Sequence, residues 1–266
     1  MKVAIVFLTN YPKENTMTFA LEVKKSLGHD VFLIVDDNSC VLDIEHLHTI
    51  QINDDKTKYY INSNIGEDTT HIKKNPIAMD KFLYTFCENY LDYDYVWVFE
   101  DDVFIPSVDT IKNLHNNYKD FDLVTPNHFI KTDKVPNWHW PSIFNLFPNR
   151  QEPFYFSMVC AMGLSRKMLE SIKRFATENK TLFYIEVMFN TLAEDNKLKV
   201  VDAFELKSIV WMGDWSYNEF LLLPNNVFHP RKDIENHYNL RQGINILSLT
   251  NYKPINKLPN FINDII

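Results

Sequence analysis

The sequence predicts an α/β protein in which a mainly parallel central sheet is flanked by helices within a single domain. Short apolar runs alternate with stretches of helical periodicity along the first half of the chain, which is the pattern of consecutive strand and helix units. The runs are continuous in Val, Ile, Leu and Phe, as expected of strands that a parallel sheet buries on both faces. With 266 residues, 45% of them hydrophobic, the chain can form one large core.

The first half of the chain alternates predicted strands and helices. Apolar runs rich in β-branched and aromatic residues predict strands over residues 3–8, 31–35, 95–99 and 122–125. Helical periodicity predicts helices over residues 16–27, 75–90 and 108–118. Gly28 stops the first helix, and Pro76 stands in the first turn of the second. Residues 53–75, which are rich in small and polar side chains, predict an irregular connection.

The second half of the chain is less regular. Residues 127–156 contain four prolines and many aromatic side chains, and they predict a long loop rather than a regular element. A strand is predicted over residues 158–164 and a helix over residues 165–176, with Ser165 as its N-cap. Two further helices are predicted over residues 185–193 and 218–223.

Charge and cysteine usage exclude several classes of protein. A net charge of −8 argues against a nucleic-acid partner, because such binding depends on many cationic contacts to phosphates. The cysteines Cys40, Cys87 and Cys160 are widely separated and have no metal-ligand spacing, so they predict neither a disulfide framework nor a structural zinc site. An anionic ligand must therefore be held by a few local cations or by a metal ion.

The N-terminus and the glycines narrow the class further. The first apolar run, residues 3–8, is too short for a signal peptide and predicts a strand. No apolar run approaches the roughly 18 residues of a membrane span. We therefore expect a soluble, cytoplasmic protein. None of the five glycines lie close enough together to form a phosphate-cradling loop, so any nucleotide must be bound in another way.

Acidic residues follow the most strand-like segment, residues 95–99. On an extended backbone Glu100 and Asp102 project to one side and Asp101 to the other. Two carboxylates that share a pocket repel each other unless a cation neutralises them, and Mn²⁺ or Mg²⁺ accepts such oxygen ligands. Because ligands gather at the carboxyl ends of parallel strands, the triplet predicts a metal and ligand site.

This triplet resembles the metal-binding Asp-x-Asp signature of the GT-A glycosyltransferases, which follows a hydrophobic strand. The Glu-Asp-Asp form is similar to that of N-acetylglucosaminyltransferase I. The resemblance implies a Rossmann-like GT-A fold that binds a nucleotide sugar. It also implies that Asp102 contacts the metal, while Glu100 and Asp101 lie on the nucleotide side.

A second part of the resemblance lies at the ends of the two earlier strands. Asp36 stands in Val-Asp-Asp-Asn-Ser, which is similar to the Val-Asp-Asp-Gly-Ser segment of family-two glycosyltransferases, where the aspartate meets the uracil. Asn38 replaces the glycine of that segment. With the polar residues after the first strand, this predicts a nucleotide-binding set that consists of Thr9, Asn10, Asp36 and Asp37.

A late basic segment has the composition needed around a diphosphate. His229 resembles the late histidine that completes the metal shell in several GT-A enzymes. Arg231 and Lys232 follow closely, and such cations can reach the phosphates. The sequence therefore predicts Asp102 and His229 as metal ligands, with Arg231 and Lys232 beside the donor.

An inverting transferase needs a base for the acceptor hydroxyl, and two acids compete for this role. Glu186 is isolated in an apolar stretch, where burial would raise its pKa, and it is similar in place to the acid of the family-two Glu-Asp segment, although Val187 replaces the second acid. Asp214 is the rival and is flanked by aromatic residues. The tryptophans predicted to contact the acceptor, or alternatively to pack a lid onto the core, are Trp138, Trp140 and Trp215.

Taken together, these features predict a metal-dependent glycosyltransferase. It would move a sugar from a UDP- or GDP-sugar to a hydroxyl of a glycan or glycoprotein, with inversion and with Mn²⁺ or Mg²⁺ as cofactor. Residues 1–126 are predicted to form the nucleotide-sugar-binding half of the domain and residues 127–266 the acceptor-facing half. The alternatives are a metal-dependent phosphoesterase, a sugar nucleotidyltransferase and a non-catalytic sugar-binding relative.

Overall fold

A computed structural model describes residues 1–39, 41–57, 59–60, 76–90, 92–132, 143 and 153–248, with the backbone alone for 245–248. Within these residues a seven-stranded sheet forms the centre of the molecule, and two further strands, β6 and β7, form a separate pair. The strands are β1 (Val3–Thr9), β2 (Asp30–Val35), β3 (His48–Gln51), β4 (Tyr95–Glu100), β5 (Leu123–Thr125), β6 (Phe129–Ile130), β7 (Tyr155–Phe156), β8 (Ala161–Ser165) and β9 (Val200–Asp202).

The central sheet has the order β3-β2-β1-β4-β8-β5-β9. Neighbouring strands are parallel except at β8, which runs antiparallel to both β4 and β5. The predicted α/β class with a mainly parallel sheet flanked by helices is therefore confirmed. Because β1 lies between β2 and β4, the carboxyl ends of these three strands meet at one edge of the sheet.

Helices cover both faces of this sheet. They are α1 (Glu14–Leu27), α2 (Ala78–Glu88), α3 (Val108–Tyr118), α4 (Arg166–Asn179), α5 (Ile185–Asp195), α6 (Tyr217–Leu222) and α7 (His237–Ser248). Along the described ranges, no helix combines the length and the apolar character needed to cross a membrane.

Several helix boundaries follow from local chemistry. Gly28 ends α1 in the left-handed conformation, at φ 65°, as the sequence predicts. Ser165 caps α4 by accepting a hydrogen bond from the backbone N–H of Met168, which is also as predicted. Helix α2 begins later than predicted, because Ile77 is extended and its N–H donates to the side chain of Asp80 at 2.9 Å.

Some strands differ from the prediction. The edge strand β3 and the short strand β9 were not predicted, because neither is a continuous apolar run. Residues 127–156 were predicted to have no regular element, but β6 and β7 pair there in antiparallel fashion, with Phe129 opposite Phe156. Strands of two residues are too short to show a period in the sequence.

The core consists of two layers, one on each face of the sheet. Val96 and Val98 of β4 pack with α2, α4 and α5, whereas Tyr95, Trp97 and Phe99 pack with α1 and α3. Burial of alternate residues on opposite faces explains why β4 reads as an unbroken apolar run. This strand therefore holds its polar end, Glu100, in a fixed position.

The side-chain position of Gly163 in β8 has no space for a Cβ atom. A Cβ atom there would lie 2.7 Å from Tyr95 Oη and 3.0 Å from two ring atoms of Trp97. We expect Gly163→Ala to destabilise the fold by about 1–3 kcal/mol, because the added methyl group would overlap two fully buried side chains. Urea unfolding measures this loss, and Tyr95→Phe should recover part of it by removing the nearest atom. An equal loss in both backgrounds would contradict the contact.

Candidate functional site

The polar residues at the ends of β1 and β2 form one edge of the site. The backbone N–H of Asp36 donates to the carbonyl of Thr9, and that of Asp37 to the carbonyl of Asn10, both at 2.9 Å. Asp37 Oδ1 accepts from the backbone N–H of Ser39 at 2.7 Å, so this side chain closes the turn that follows β2. The four residues predicted at these strand ends therefore lie together.

A cavity of about 380 Å³ opens beside the end of β4. It brings together five of the residues predicted for the site, namely Glu100, Asp102, Glu186, His229 and Lys232. Other residues around it include Ile77, Met158, Cys160, Tyr184 and Trp211. The cavity thus draws on the acidic triplet, on the start of α5 and on the late basic segment, which are far apart in sequence.

The acidic triplet divides between two directions, as predicted. Glu100 and Asp102 line the cavity, whereas the Asp101 carboxylate accepts a hydrogen bond from Thr9 Oγ1 at 2.6 Å. The geometry differs from the predicted extended strand, because β4 ends at Glu100 and the N–H of Val103 turns back to the Glu100 carbonyl at 3.1 Å. Burial raises the pKa of Asp101, although the Thr9 hydrogen bond opposes it.

His229 faces Asp102 from a hydrogen-bonded stretch of backbone. Its N–H donates to the carbonyl of Ser208, at 3.1 Å, and its ring Nδ1 lies 2.9 Å from the carbonyl oxygen of Val210. A proton on Nδ1 would be donated to that carbonyl, which leaves Nε2 directed at Asp102 Oδ1, 3.5 Å away. The backbone thereby selects the ring nitrogen that can ligate a metal.

Electrostatic effects link these two side chains. Burial acts to raise the pKa of Asp102, but the hydrogen bond and charge of His229 outweigh it, so the pKa lies below its usual value. Burial acts to lower the pKa of His229, and the contacts with Asp102 outweigh it, so that pKa is raised. Each group favours the charged form of the other, as expected for an anionic ligand position that attracts a cation.

Glu100 adds a second carboxylate and lies against Cys160. The backbone N–H of Glu100 donates to the Cys160 carbonyl at 2.9 Å, and their side chains are also hydrogen bonded. One ligand atom each from Glu100, Cys160 and His229 lie within 4.8 Å of one another. Burial, followed by the charge of Asp102, raises the pKa of Glu100. Carboxylates and an imidazole at these distances fit a divalent metal ion.

Of the two candidate bases, only Glu186 lines the cavity. Glu186 lies in the first turn of α5, where the helix dipole favours a carboxylate. The Tyr184 hydroxyl is hydrogen bonded to Glu186, and burial and the charge of Glu186 raise the pKa of Tyr184. Asp214 has a fully exposed side chain, 3.8 Å from Arg231 Nη1, and it is not among the residues that form the cavity.

The two predicted cations occupy different positions. Lys232 lines the cavity. The guanidinium of Arg231 instead donates to Asp233 Oδ2 at 2.7 Å and to the Trp215 carbonyl at 3.2 Å. The Arg231 backbone N–H donates to the carbonyl of Asp102 at 2.8 Å, so this residue supports the acidic turn through its main chain.

Two of the predicted acceptor tryptophans, Trp138 and Trp140, lie outside the described residues. Trp215 is only 2% exposed, and its Nε1 donates to the His229 carbonyl at 2.9 Å. It therefore supports the histidine from the interior rather than presenting a ring to solvent. Trp211, which was not predicted, is 53% exposed and lines the cavity, so it offers an aromatic face there.

Lys81 is a site residue that sequence reasoning missed. Its side chain is 1% exposed, and Nζ lies 2.9 Å from Asp36 Oδ1 and 3.1 Å from Asp54 Oδ1. Nζ also donates to the Asp36 carbonyl, so all three of its protons have acceptors. In the sequence, Lys81 lies within the helix predicted over residues 75–90, and nothing in its local pattern indicates that the helix will carry it to Asp36 and Asp54.

We expect Lys81→Met to destabilise the fold by about 1–3 kcal/mol. Loss of the buried cation leaves Asp36 and Asp54 without their shared partner, and their partial exposure keeps the cost below that of a fully buried pair. Chemical denaturation measures the effect. Lys56→Met, at an exposed position of the neighbouring turn, is the matched control and should change stability by less than about 0.5 kcal/mol. Equal losses in the two variants would contradict the role of Lys81.

Comparisons with known proteins find no matching family model and no matching curated protein. A crystallised protein of Desulfovibrio desulfuricans, provisionally described as a nucleotide-diphospho-sugar transferase, is similar in structure with a TM-score of 0.38 and 11% identity, over 94% of this chain and 97% of that one. Mouse xyloside xylosyltransferase 1 is similar with a TM-score of 0.39 and 8% identity, over 88% of this chain and 98% of that one. At these TM-scores neither likeness decides a function, so the function is inferred from the site residues.

Proposed function

We propose that the protein is a metal-dependent glycosyltransferase that moves a sugar from a nucleoside-diphosphate sugar to an acceptor hydroxyl. The observation that carries this proposal is the set of side chains that line one cavity at the end of β4. Asp102 and His229 face each other there, Lys232 adds a cation, and Glu186 supplies a separate carboxylate. Sugar transfer requires a metal site and a cation for the diphosphate, together with a base for the acceptor hydroxyl.

The donor diphosphate would lie at the metal end of the cavity. Asp102 and His229 would hold Mn²⁺ or Mg²⁺, and the bound ion would stabilise the charge that develops on the leaving diphosphate. Lys232 lines the same cavity and adds a positive charge beside the phosphates. Since the chain carries a net charge of −8, these local cations would offset its general repulsion of an anionic donor.

The nucleotide would extend from there towards the ends of β1 and β2. Lys81 engages one carboxylate oxygen of Asp36, at 2.9 Å, which leaves Oδ2 as an acceptor for an N–H of the base. Uracil and guanine both carry such a donor, consistent with a UDP- or GDP-sugar. The Asp101 carboxylate, which accepts a hydrogen bond from Thr9, would lie near the ribose. Asn10 and Asp37, whose backbones are hydrogen bonded to each other, would complete the nucleotide-binding edge.

The acceptor would enter beside Glu186. In the transfer step Glu186 takes the proton of the acceptor hydroxyl, the acceptor oxygen bonds to the anomeric carbon, and the bond from that carbon to the diphosphate breaks. Attack from the face opposite the diphosphate inverts the configuration. Tyr184 orients the carboxylate through its hydroxyl, and the exposed ring of Trp211 can pack on the apolar face of a sugar in a glycan or glycoprotein.

Calorimetric titration tests the proposal. UDP, GDP and their common sugar derivatives are added to the protein with Mn²⁺ or with EDTA. Binding of one nucleotide sugar that strengthens at least tenfold with Mn²⁺, followed by transfer to glycan acceptors in a mass-spectrometric screen, supports the proposal. No binding of any nucleotide in the presence of Mn²⁺ would overturn it, and hydrolysis of simple phosphate esters in place of transfer would favour a phosphoesterase.

A further inference from the structure

Cys160 places a thiol at the centre where the proposed metal would bind. Phe99 of β4 pairs with Ala161 of the antiparallel strand β8, so Glu100, which follows Phe99, lies beside Cys160, which precedes Ala161. Cys160 is 7% exposed and lines the cavity. Its sulfur, a carboxylate oxygen of Glu100 and a ring nitrogen of His229 lie within 4.8 Å of one another.

Asp102 can complete this set as a fourth ligand, because its Oδ1 lies 3.5 Å from His229 Nε2. In a tetrahedral zinc site the metal lies about 2.0–2.3 Å from each ligand, which puts neighbouring ligand atoms roughly 3.3–3.8 Å apart. The separation between Asp102 and His229 already falls in this range. The ligand atoms of Glu100 and Cys160 lie within 4.8 Å of each other and of His229, so the four-ligand set closes on the metal by rotation of the Asp102, Glu100 and Cys160 side chains.

The thiol changes which metals the centre prefers. Mn²⁺ and Mg²⁺ are hard ions that prefer oxygen ligands and retain bound water, so they gain little from sulfur. Zn²⁺ and Co²⁺ accept sulfur, nitrogen and oxygen together in a tetrahedral arrangement. A cavity that offers two carboxylates, one imidazole and one thiol therefore matches the second group of ions better.

We propose that Glu100, Asp102, Cys160 and His229 form a four-ligand site that captures Zn²⁺ or Co²⁺ and excludes the catalytic Mn²⁺ or Mg²⁺. On binding, the Cys160 S–H bond breaks, its proton passes to solvent and the thiolate sulfur bonds to the metal. Four protein ligands leave no position for a diphosphate oxygen, so the captured ion would inhibit transfer. The inhibition rests on the proposed function, whereas the coordination does not.

Co²⁺ absorption spectroscopy tests the coordination without any activity. The wild-type protein, titrated with Co²⁺ under reducing conditions, should show a near-ultraviolet thiolate-to-cobalt charge-transfer band together with intense visible bands of tetrahedral Co²⁺. Cys160→Ser should lose the charge-transfer band and bind Zn²⁺ at least tenfold more weakly in competition with a chromophoric chelator. Cys87→Ser is the matched control and should behave as wild type, because the Cys87 thiol is buried elsewhere and donates to the Leu169 carbonyl.

The outcomes separate this proposal from the proposed function. Binding of Co²⁺ by the wild type without the charge-transfer band would overturn the thiolate ligand and leave a metal-dependent transferase intact. A band that persists in Cys160→Ser would also overturn it, whichever other cysteine provides the thiolate. Failure of the wild-type protein to bind any divalent ion would overturn both proposals. Absence of the band from the wild-type spectrum is decisive even where a variant folds poorly.

Discussion

Replacement of Asp102 by Asn is expected to reduce metal-dependent transfer by about 10²–10⁴-fold, because the amide removes the anionic metal ligand and the partner of His229. The fold should persist, since the Asp102 backbone carbonyl keeps its hydrogen bond from Arg231. Initial-rate kinetics across a range of Mn²⁺ concentrations, combined with isothermal titration of the donor, measure the effect.

Asp109→Asn is the matched control for this change. Asp109 is exposed in the first turn of α3, so the same loss of charge occurs outside the cavity and should leave turnover within about twofold of wild type. Retention of Mn²⁺-stimulated turnover in Asp102→Asn would place the metal elsewhere. A matching loss in Asp109→Asn would point to net charge rather than to a ligand.

The parts of this site that could be predicted from sequence are those whose position follows from the strands. The end of β4 had to carry Glu100 to the edge of the sheet, since residues 95–99 form an uninterrupted buried run. The same reasoning placed Asp36 after β2. Because parallel neighbours align their carboxyl ends, the strand order needed only β1 between β2 and β4 to bring these residues together.

The residues that escaped prediction depend on contacts between distant elements. Cys160 joins the site because β8 runs antiparallel to β4, and nothing in the spacing of the cysteines reveals that pairing. Lys81 becomes a buried cation only where α2 meets the ends of β2 and the Asp54 turn. Trp215, predicted to contact the acceptor or pack a lid, is buried, and Trp211, for which no role was predicted, is exposed, since local sequence does not decide which indole is buried.

Conversion of Glu186 to Gln is expected to leave donor binding intact and to lower the rate of transfer by about 10²–10⁴-fold. Gln keeps the size of the side chain and can still accept the Tyr184 hydrogen bond, but it cannot take the proton of the acceptor hydroxyl. The dissociation constant of the donor, measured by titration in the presence of Mn²⁺, should stay within about twofold of wild type. The loss should appear in kcat at saturating acceptor.

One companion variant decides between the candidate bases. Asp214→Asn, at a fully exposed carboxylate outside the cavity, should transfer at the wild-type rate. Loss of transfer in Asp214→Asn with retention in Glu186→Gln would move the base to Asp214.

Tyr184→Phe should lower kcat by a smaller factor, about tenfold, because the Glu186 carboxylate remains but loses the hydroxyl that orients it. If Tyr184 merely supported the fold, the rate loss in Tyr184→Phe would track its loss of thermal stability. If it positions the base, the pH profile of kcat should shift as well, since removing a hydrogen bond donated to a carboxylate raises the pKa of that carboxylate.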